Sequence, residues 1–336
     1  MATTSPRADR RVVIGLPVAL TLLLSMLLLA FGLPAIHSAP RDVPLALVAP
    51  TAVAEQVEAG LEQAQPGAFA ITVAPSSDAA RTMIEDREVY GALVLGPDGL
   101  QIQTATAASP SVAQVVTAVG QALATQLDLT ASVEDVVPMS PDDPRGVGLA
   151  AGALPIALGG MIAGVAISLA VPGTWRRVGV MLGFAVLAGL AMTAVLQFWF
   201  GTLTGSYLAT SAAATLGVLA TGMTVLGLEQ LLGRIGIGLA ALVVVILGNP
   251  LSGLASAPEM LPLPWGAIGQ TLPPGATGTL LRDVAFFDGA AIGAPLLALG
   301  TWLVVGVVTF WAGATRPTRS SAQPPQPALA PATEAA

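Results

Sequence analysis

The chain contains no cysteine and no lysine, and a single histidine, His37. Without cysteine it can build neither a disulfide nor a thiol nucleophile, and one histidine is too few for a structural zinc site. Without lysine there is no Walker A loop, whose lysine must reach the terminal phosphates of a bound nucleotide. All 13 basic residues are therefore arginines. Charge of either sign is scarce, at 10% of 336 residues, whereas 54% are hydrophobic and the mean hydropathy is +0.77. That balance lies outside the range of a soluble domain and points to lipid as the solvent for much of the chain. Redox, metal and cofactor chemistry are not expected, nor is an enzyme.

What is abundant is glycine (37) and proline (27), set within long apolar runs rather than among polar neighbours. Membrane helices tolerate such residues because adjacent helices and local backbone adjustments satisfy the freed hydrogen bonds. Residues 12–33 carry no charge and, at about 1.5 Å per residue, are long enough for the roughly 30 Å hydrocarbon core. A cleavable signal peptide is the rival reading, given Arg7, Arg10 and Arg11 ahead of the run. The run exceeds the roughly 7–15 apolar residues of a signal core, which favours a retained helix over 12–36 after a short cytoplasmic tail, 1–11.

Residues 37–146 change character, with Glu55, Glu58, Glu62, Glu85, Asp86 and Glu88 among short apolar segments. The patterning predicts strands over 44–48 and 69–73, helices over 52–64 and 77–87, a hairpin of 92–95 with 100–104, and a final helix over 111–129. Together these make a small extracytoplasmic α/β domain, whose carboxylates carry most of the net charge of −7 as a solvated face rather than as a sign of a nucleic-acid partner. Five further apolar runs follow, at 147–171, 178–200, 207–228, 235–257 and 290–312. The expected fold is thus an all-α membrane bundle of six transmembrane helices with an inserted α/β domain. Residues 258–289 read as a pair of short re-entrant helices, and 314–336 as a disordered cytoplasmic tail.

Arginine placement sets the orientation. Arg7, Arg10, Arg11, Arg176, Arg177, Arg234, Arg316 and Arg319 all fall on one side of this layout, which makes both termini cytoplasmic in a plasma membrane. The spans carry no ionisable residue near their centres, which disfavours proton-coupled antiport, since such groups are costly in lipid and present where they are used. Trp175, Arg176 and Arg177, with Glu229 and Arg234 on the same side, are candidates for docking a cytoplasmic partner; as a plain alternative they are interfacial anchors. Gly148, Gly152, Gly160 and Gly164 form a smooth ridge for helix packing, within one chain or between two. Gln197 and Asn249 lie near span ends, where capping explains them as well as ligand contact.

One stretch, GNPLSGLASAPEMLPLPWGAIGQTLPPGATGTLLRDVAFFDG, joins this layout to a resemblance. Asn249, Pro250, Gly253, Pro258, Pro262, Pro273, Arg282 and Gly289 match in kind and order the end of the fifth span, the two short helices and the approach to the sixth span in membrane subunits of type-2 ABC exporters. The branch concerned carries an outer domain after span one, whose opening VPLALVAP and later GALVLGPDG are also similar. The resemblance implies a permease working as a homodimer or a heterodimer with a similar subunit, a separate ATP-binding subunit for energy, and, with no charge inside the spans, amphiphilic or lipid-like cargo among membrane lipids. The chain departs from the family between spans two and three, where Pro172, Gly173, Thr174, Trp175, Arg176 and Arg177 replace a longer acidic loop. The phage infection protein family and its type VII secretion relatives share the layout without a clear coupling loop. That likeness implies instead a non-transporting scaffold whose outer domain binds a surface or secretion partner.

Overall fold

A computed structural model describes residues 10–316; the two expected tails lie mostly outside them, as do Arg7 and Arg319. The chain is mostly helical. Four helices are long and apolar enough to cross a membrane, at Ile14–Pro34, Thr174–Trp199, Tyr207–Leu232 and Gly293–Ala314, and Pro155–Ala170 and Arg234–Gly248 are shorter apolar helices. Large apolar side chains stand exposed along them, among them Leu28, Leu169, Leu187, Leu208 and Leu297. An apolar surface that extensive is compatible with a membrane protein and costly in water.

The first helix, α1 (Arg10–Ile36), has none of its apolar window buried. The chain then forms a five-stranded sheet from β1 (Val43–Val48), β2 (Phe69–Val73), β3 (Gly91–Gly96), β4 (Gly99–Thr104) and β5 (Ala131–Asp135), in the order β2-β1-β3-β4-β5. Strand β1 pairs in parallel with β2 and β3, β3 and β4 form an antiparallel hairpin, and β5 pairs in parallel with β4. Parallel neighbours need crossover helices. These are α2 (Thr51–Ala64), α3 (Ser77–Glu85) and α4 (Pro110–Gln126). Val57 of α2 and Leu123 of α4 line one groove, and Gly120 of α4 lies on Leu93 and Ile102 of the sheet. Ser77 of α3 meets Gln101 and Gln103, whose side chains alternate with Ile102 and so point to the opposite face. Both faces are covered, and Leu45, Leu47, Leu93, Leu100 and Ile102 are fully buried.

The strands, helices and hairpin fall close to their expected positions. The expected final helix differs: α4 stops at Gln126, Asp128 takes a left-handed φ of 56°, and the chain turns back as β5. Strand β5 escapes detection because it is mostly exposed and ends in Glu134 and Asp135, so no apolar alternation marks it.

The remaining helices pack around α7 (Tyr207–Leu232), whose neighbours are α5 (Val147–Ala170), α6 (Thr174–Ala194), α8 (Arg234–Ala241), α10 (Pro273–Phe286) and α11 (Gly293–Ala314). Of its apolar window 72% is buried, against 22% for α6 and for α11. Its facing side chains are small: Ser211, Ala213, Ala214, Gly217, Thr221 and Gly222. Backbones therefore approach closely, and dispersion along the seam replaces a hydrophobic driving force that lipid does not provide. Helix α6 continues as a π-helical turn over Val195–Trp199 and α8 as one over Leu242–Gly248. Helix α8 with its continuation ends at Gly248, well short of the expected 257, because Pro250 cannot donate to a continuing ladder and residues 249–257 turn instead. After a 3₁₀ turn at Pro258–Met260 come α9 (Trp265–Thr271) and α10, the expected pair of short helices.

The glycine ridge of α5 packs inside the chain. A Cβ on Gly160 would stand 2.5 Å from the Val218 carbonyl oxygen, and one on Gly164 2.7 Å from Val225 Cβ, both on α7. Gly152 faces Leu196 and Gly148 faces Thr202. Gly159, on the same helix, has open space in front of it. Gly160→Leu is therefore expected to lower the thermal unfolding midpoint in detergent sharply, by an overpacking cost of about 1–3 kcal/mol or more, while Gly159→Ala leaves it level or raises it slightly.

Candidate functional site

At one end of the bundle, α6 begins with Thr174, Trp175, Arg176 and Arg177 after a connection of only Val171, Pro172 and Gly173. Arg177 donates from Nε to the Val171 carbonyl at 3.0 Å and from Nη1 to Glu229 and Gln230 of α7, each at 3.2 Å. Arg316, after α11, donates to the Leu231 carbonyl at 2.8 Å, and Trp175 sits edge-on to Phe310 at 6.0 Å. The structure thus brings Trp175, Arg177 and Glu229 together as a knot closing α6, α7 and α11. Arg176 and Arg234 remain exposed. Of the five candidate docking residues, the charges of Arg177 and Glu229 are committed to holding the helix ends, and those of Arg176 and Arg234 are exposed.

At the opposite end the α/β unit meets the segment between α8 and α11. Ala39 and Arg41 donate backbone hydrogen bonds to Met260 and Glu259, and Ser109 Oγ donates to the Ser256 carbonyl at 2.6 Å. Ala257, Met260 and Phe287 are buried within the apolar core of the sheet unit. Beside them lies a cluster of charge that sequence reasoning did not assemble. Arg87, just past α3, places Nε 3.1 Å from Asp283 Oδ1 and stacks its guanidinium on Tyr90 and Phe287, at 5.6 and 4.8 Å from the ring centres. The Tyr90 hydroxyl donates to Glu259 at 2.7 Å. Arg282 reaches the Leu254 carbonyl at 3.4 Å, leaving its Nε without a partner.

Arg282 is 4% exposed and Asp283 not at all, so α10 carries adjacent opposite charges into a dry seam. Neither Asp283 oxygen accepts a hydrogen bond, and the contact with Arg87 is electrostatic rather than well directed. A buried charge is costly unless paired and hydrogen-bonded. Burial raises the Tyr90 hydroxyl, with Glu259 adding to the effect.

Arg87 holds a φ of 63°, a left-handed conformation that ordinarily falls to glycine after a helix and costs an arginine about 1 kcal/mol. Its stacking and pairing across the seam hold it there. The sequence signal was present in Leu280-Leu281-Arg282-Asp283-Val284-Ala285, two opposite charges set in an apolar run, whereas Arg87 reads as one more solvated charge. Of the other polar candidates, Gln197 Nε2 donates to the Gly205 carbonyl at 3.1 Å, the Asn249 carbonyl accepts from Ser252 Oγ at 2.7 Å, and His37 Nδ1 meets the Leu33 carbonyl at 3.0 Å. Gln197 and His37 thus serve local backbone structure through their side chains, and Asn249 does so through its main-chain carbonyl.

Among the described residues no group of three or more metal-ligating side chains comes together. No family model, curated protein or solved structure matches the chain. The fold defines a mostly helical chain with the apolar helices of a membrane-embedded protein, and function is argued from its two charged ends.

Proposed function

We propose that the chain is the membrane-embedded permease subunit of an export system, driven by a separate ATP-binding subunit and moving amphiphilic or lipid-like cargo. In this reading α5 and α8 join the four longer helices as six spans of a plasma-membrane protein. The α/β unit then lies outside, residues 258–289 re-enter the membrane from that side, and both termini are cytoplasmic. Two such subunits, identical or similar, complete the pathway.

The observation that carries the reading is the continuous linkage from one charged end to the other. The α/β unit is keyed through Arg87 to Asp283 of α10; α10 packs on α7, with Gly217 against Thr277; and α7 ends at Glu229, bound to Arg177. In this reading a push at the Arg177 end passes to the outer unit along α7, a closely packed helix that is mostly small on its buried face. Residues 147–316 carry charge only at the two ends, as suits cargo that is not an ion, and the export-family resemblance of residues 248–289 agrees.

A second reading, a scaffold whose outer unit binds a surface or secretion partner, is favoured by one feature. The connection Val171–Gly173 contains no helix to seat in an ATPase. Gentle solubilisation from the native membrane, followed by mass spectrometry, separates the two. Export predicts a stoichiometric ATP-binding protein, lost in the doubly reversed variant Arg176→Glu, Arg234→Glu, which spares the Arg177 knot. Repeated recovery of a surface protein without an ATPase supports the scaffold and ends the export reading.

The topology has its own check, since a cysteine-free chain accepts single cysteines without background. Asp98→Cys, in the β3–β4 turn, should react with an impermeant maleimide on intact cells, and Arg234→Cys only after permeabilisation. The reverse pattern would invert the orientation.

A further inference from the structure

We propose that the open edge of β2 receives an extended, basic peptide segment of another protein, which adds to the sheet as a sixth strand. Strand β2 ends the sheet, with β1 on one side and, among the described residues, no strand on the other. Ala74 N–H donates to the Leu47 carbonyl and the Ala68 carbonyl accepts from Val43 N–H, both at 2.9 Å. Backbone groups alternate sides along a strand, so Ala70 and Thr72 also face β1, while Phe69, Ile71 and Val73 turn N–H and C=O to the open edge.

Sheet edges are normally blunted by charge, proline or a bulge, because unpaired backbone groups template another strand. The opposite edge, β5, follows that rule with Glu134, tied to Arg81 and Gln101, and Asp135, tied to Thr106. Strand β2, Phe69-Ala70-Ile71-Thr72-Val73, has no charge, no proline and a regular register over all five residues. It is the one edge of this sheet left ready to pair.

Charge names the occupant. Glu55, Glu58 and Glu62 of α2 line a cleft whose floor is Phe69 and Ile71 of this strand. The three carboxylates are exposed, and no arginine pairs with any of them among the described residues. Along the helix they are spaced by roughly 4.5 and 6 Å at 1.5 Å per residue. Same-face side chains of an added strand repeat every ~6.8 Å, so alternate basic residues of an incoming chain pass successive carboxylates. A second copy of this chain fits poorly there, because edge-to-edge pairing about a twofold axis sets two acidic α2 helices side by side. Backbone pairing with side-chain pockets on one face is an established mode of peptide capture. This inference is independent of whether the chain exports cargo.

The test uses the full chain in nanodiscs of uncharged lipid and a labelled ten-residue peptide alternating arginine and valine. A control peptide of the same sequence is N-methylated on alternate backbone nitrogens, keeping charge and side chains while removing strand hydrogen bonds. Expected are saturable binding, slowed amide exchange across Phe69–Val73, and at least tenfold weaker binding of the methylated peptide. Val73→Pro, which deletes an outward N–H, and Glu55→Gln with Glu58→Gln should each weaken binding similarly with an unchanged unfolding midpoint; if Val73→Pro unfolds the chain, the glutamine pair and the methylated peptide decide. Equal binding of the two peptides, no binding, or a strand already protected in the absence of peptide by a second copy would each overturn the proposal.

Discussion

Close approach to α7 is the constraint on which the helical half of the molecule depends. Lipid gives no hydrophobic reward for helix association, so contact must come from packing and from hydrogen bonds between neighbours. Helix α7 supplies a surface of alanine, glycine, serine and threonine, and its neighbours answer with glycine where backbones touch: Gly160 and Gly164 on α5, Gly189 on α6, and Gly306 and Gly313 on α11. Thr224 closes one such contact by donating to the Trp302 carbonyl at 3.1 Å. A packed array of this kind has few rotamers to rearrange. The charged contacts that hold these helices fall at their termini.

Those termini are where the charge lies. The seam at Arg87 and Asp283 joins two environments with different rules, a sheet unit held by apolar burial and a bundle held by backbone proximity. The ion pair there is a single electrostatic contact, and the directed bonds beside it, Tyr90 to Glu259 and Ser109 to the Ser256 carbonyl, set the sheet unit against the bundle. The penalty for burying Asp283 is offset by Arg87, by the neighbouring Arg282 and by the apolar contacts of Met260 and Phe287.

Much of this was legible in the sequence. The long apolar runs located the helices, and short apolar segments bounded by turn residues located β1 to β4, because both signals come from local burial. The break at Gly248 was less legible: the apolar run continues past it through Leu251 and Leu254, and only the backbone requirement of Pro250 ends the helix. Strand β5 left no pattern, since an exposed edge strand buries nothing periodic. At the candidate docking residues, identity was readable but pairing was not. Arg176 and Arg177 look alike in sequence, yet Arg177 is locked to Glu229 and Arg176 is exposed, a difference of about 100° around the helix. The Arg87–Asp283 pair spans nearly two hundred residues, and no local rule connects such positions.

The π-helical turns that end α6 and α8 carry a consequence for the chain that leaves them. Each wide turn accommodates a residue more than an α-helical turn, so the residues that follow depart about 100° around the axis from where an uninterrupted helix would release them. After α6 that exit leads into the tight link Gly201–Ser206, and after α8 into Asn249 and Pro250. The extra residue acts as a shim: it leaves the helices seated beside α7 and sets the bearing on which the next segment starts.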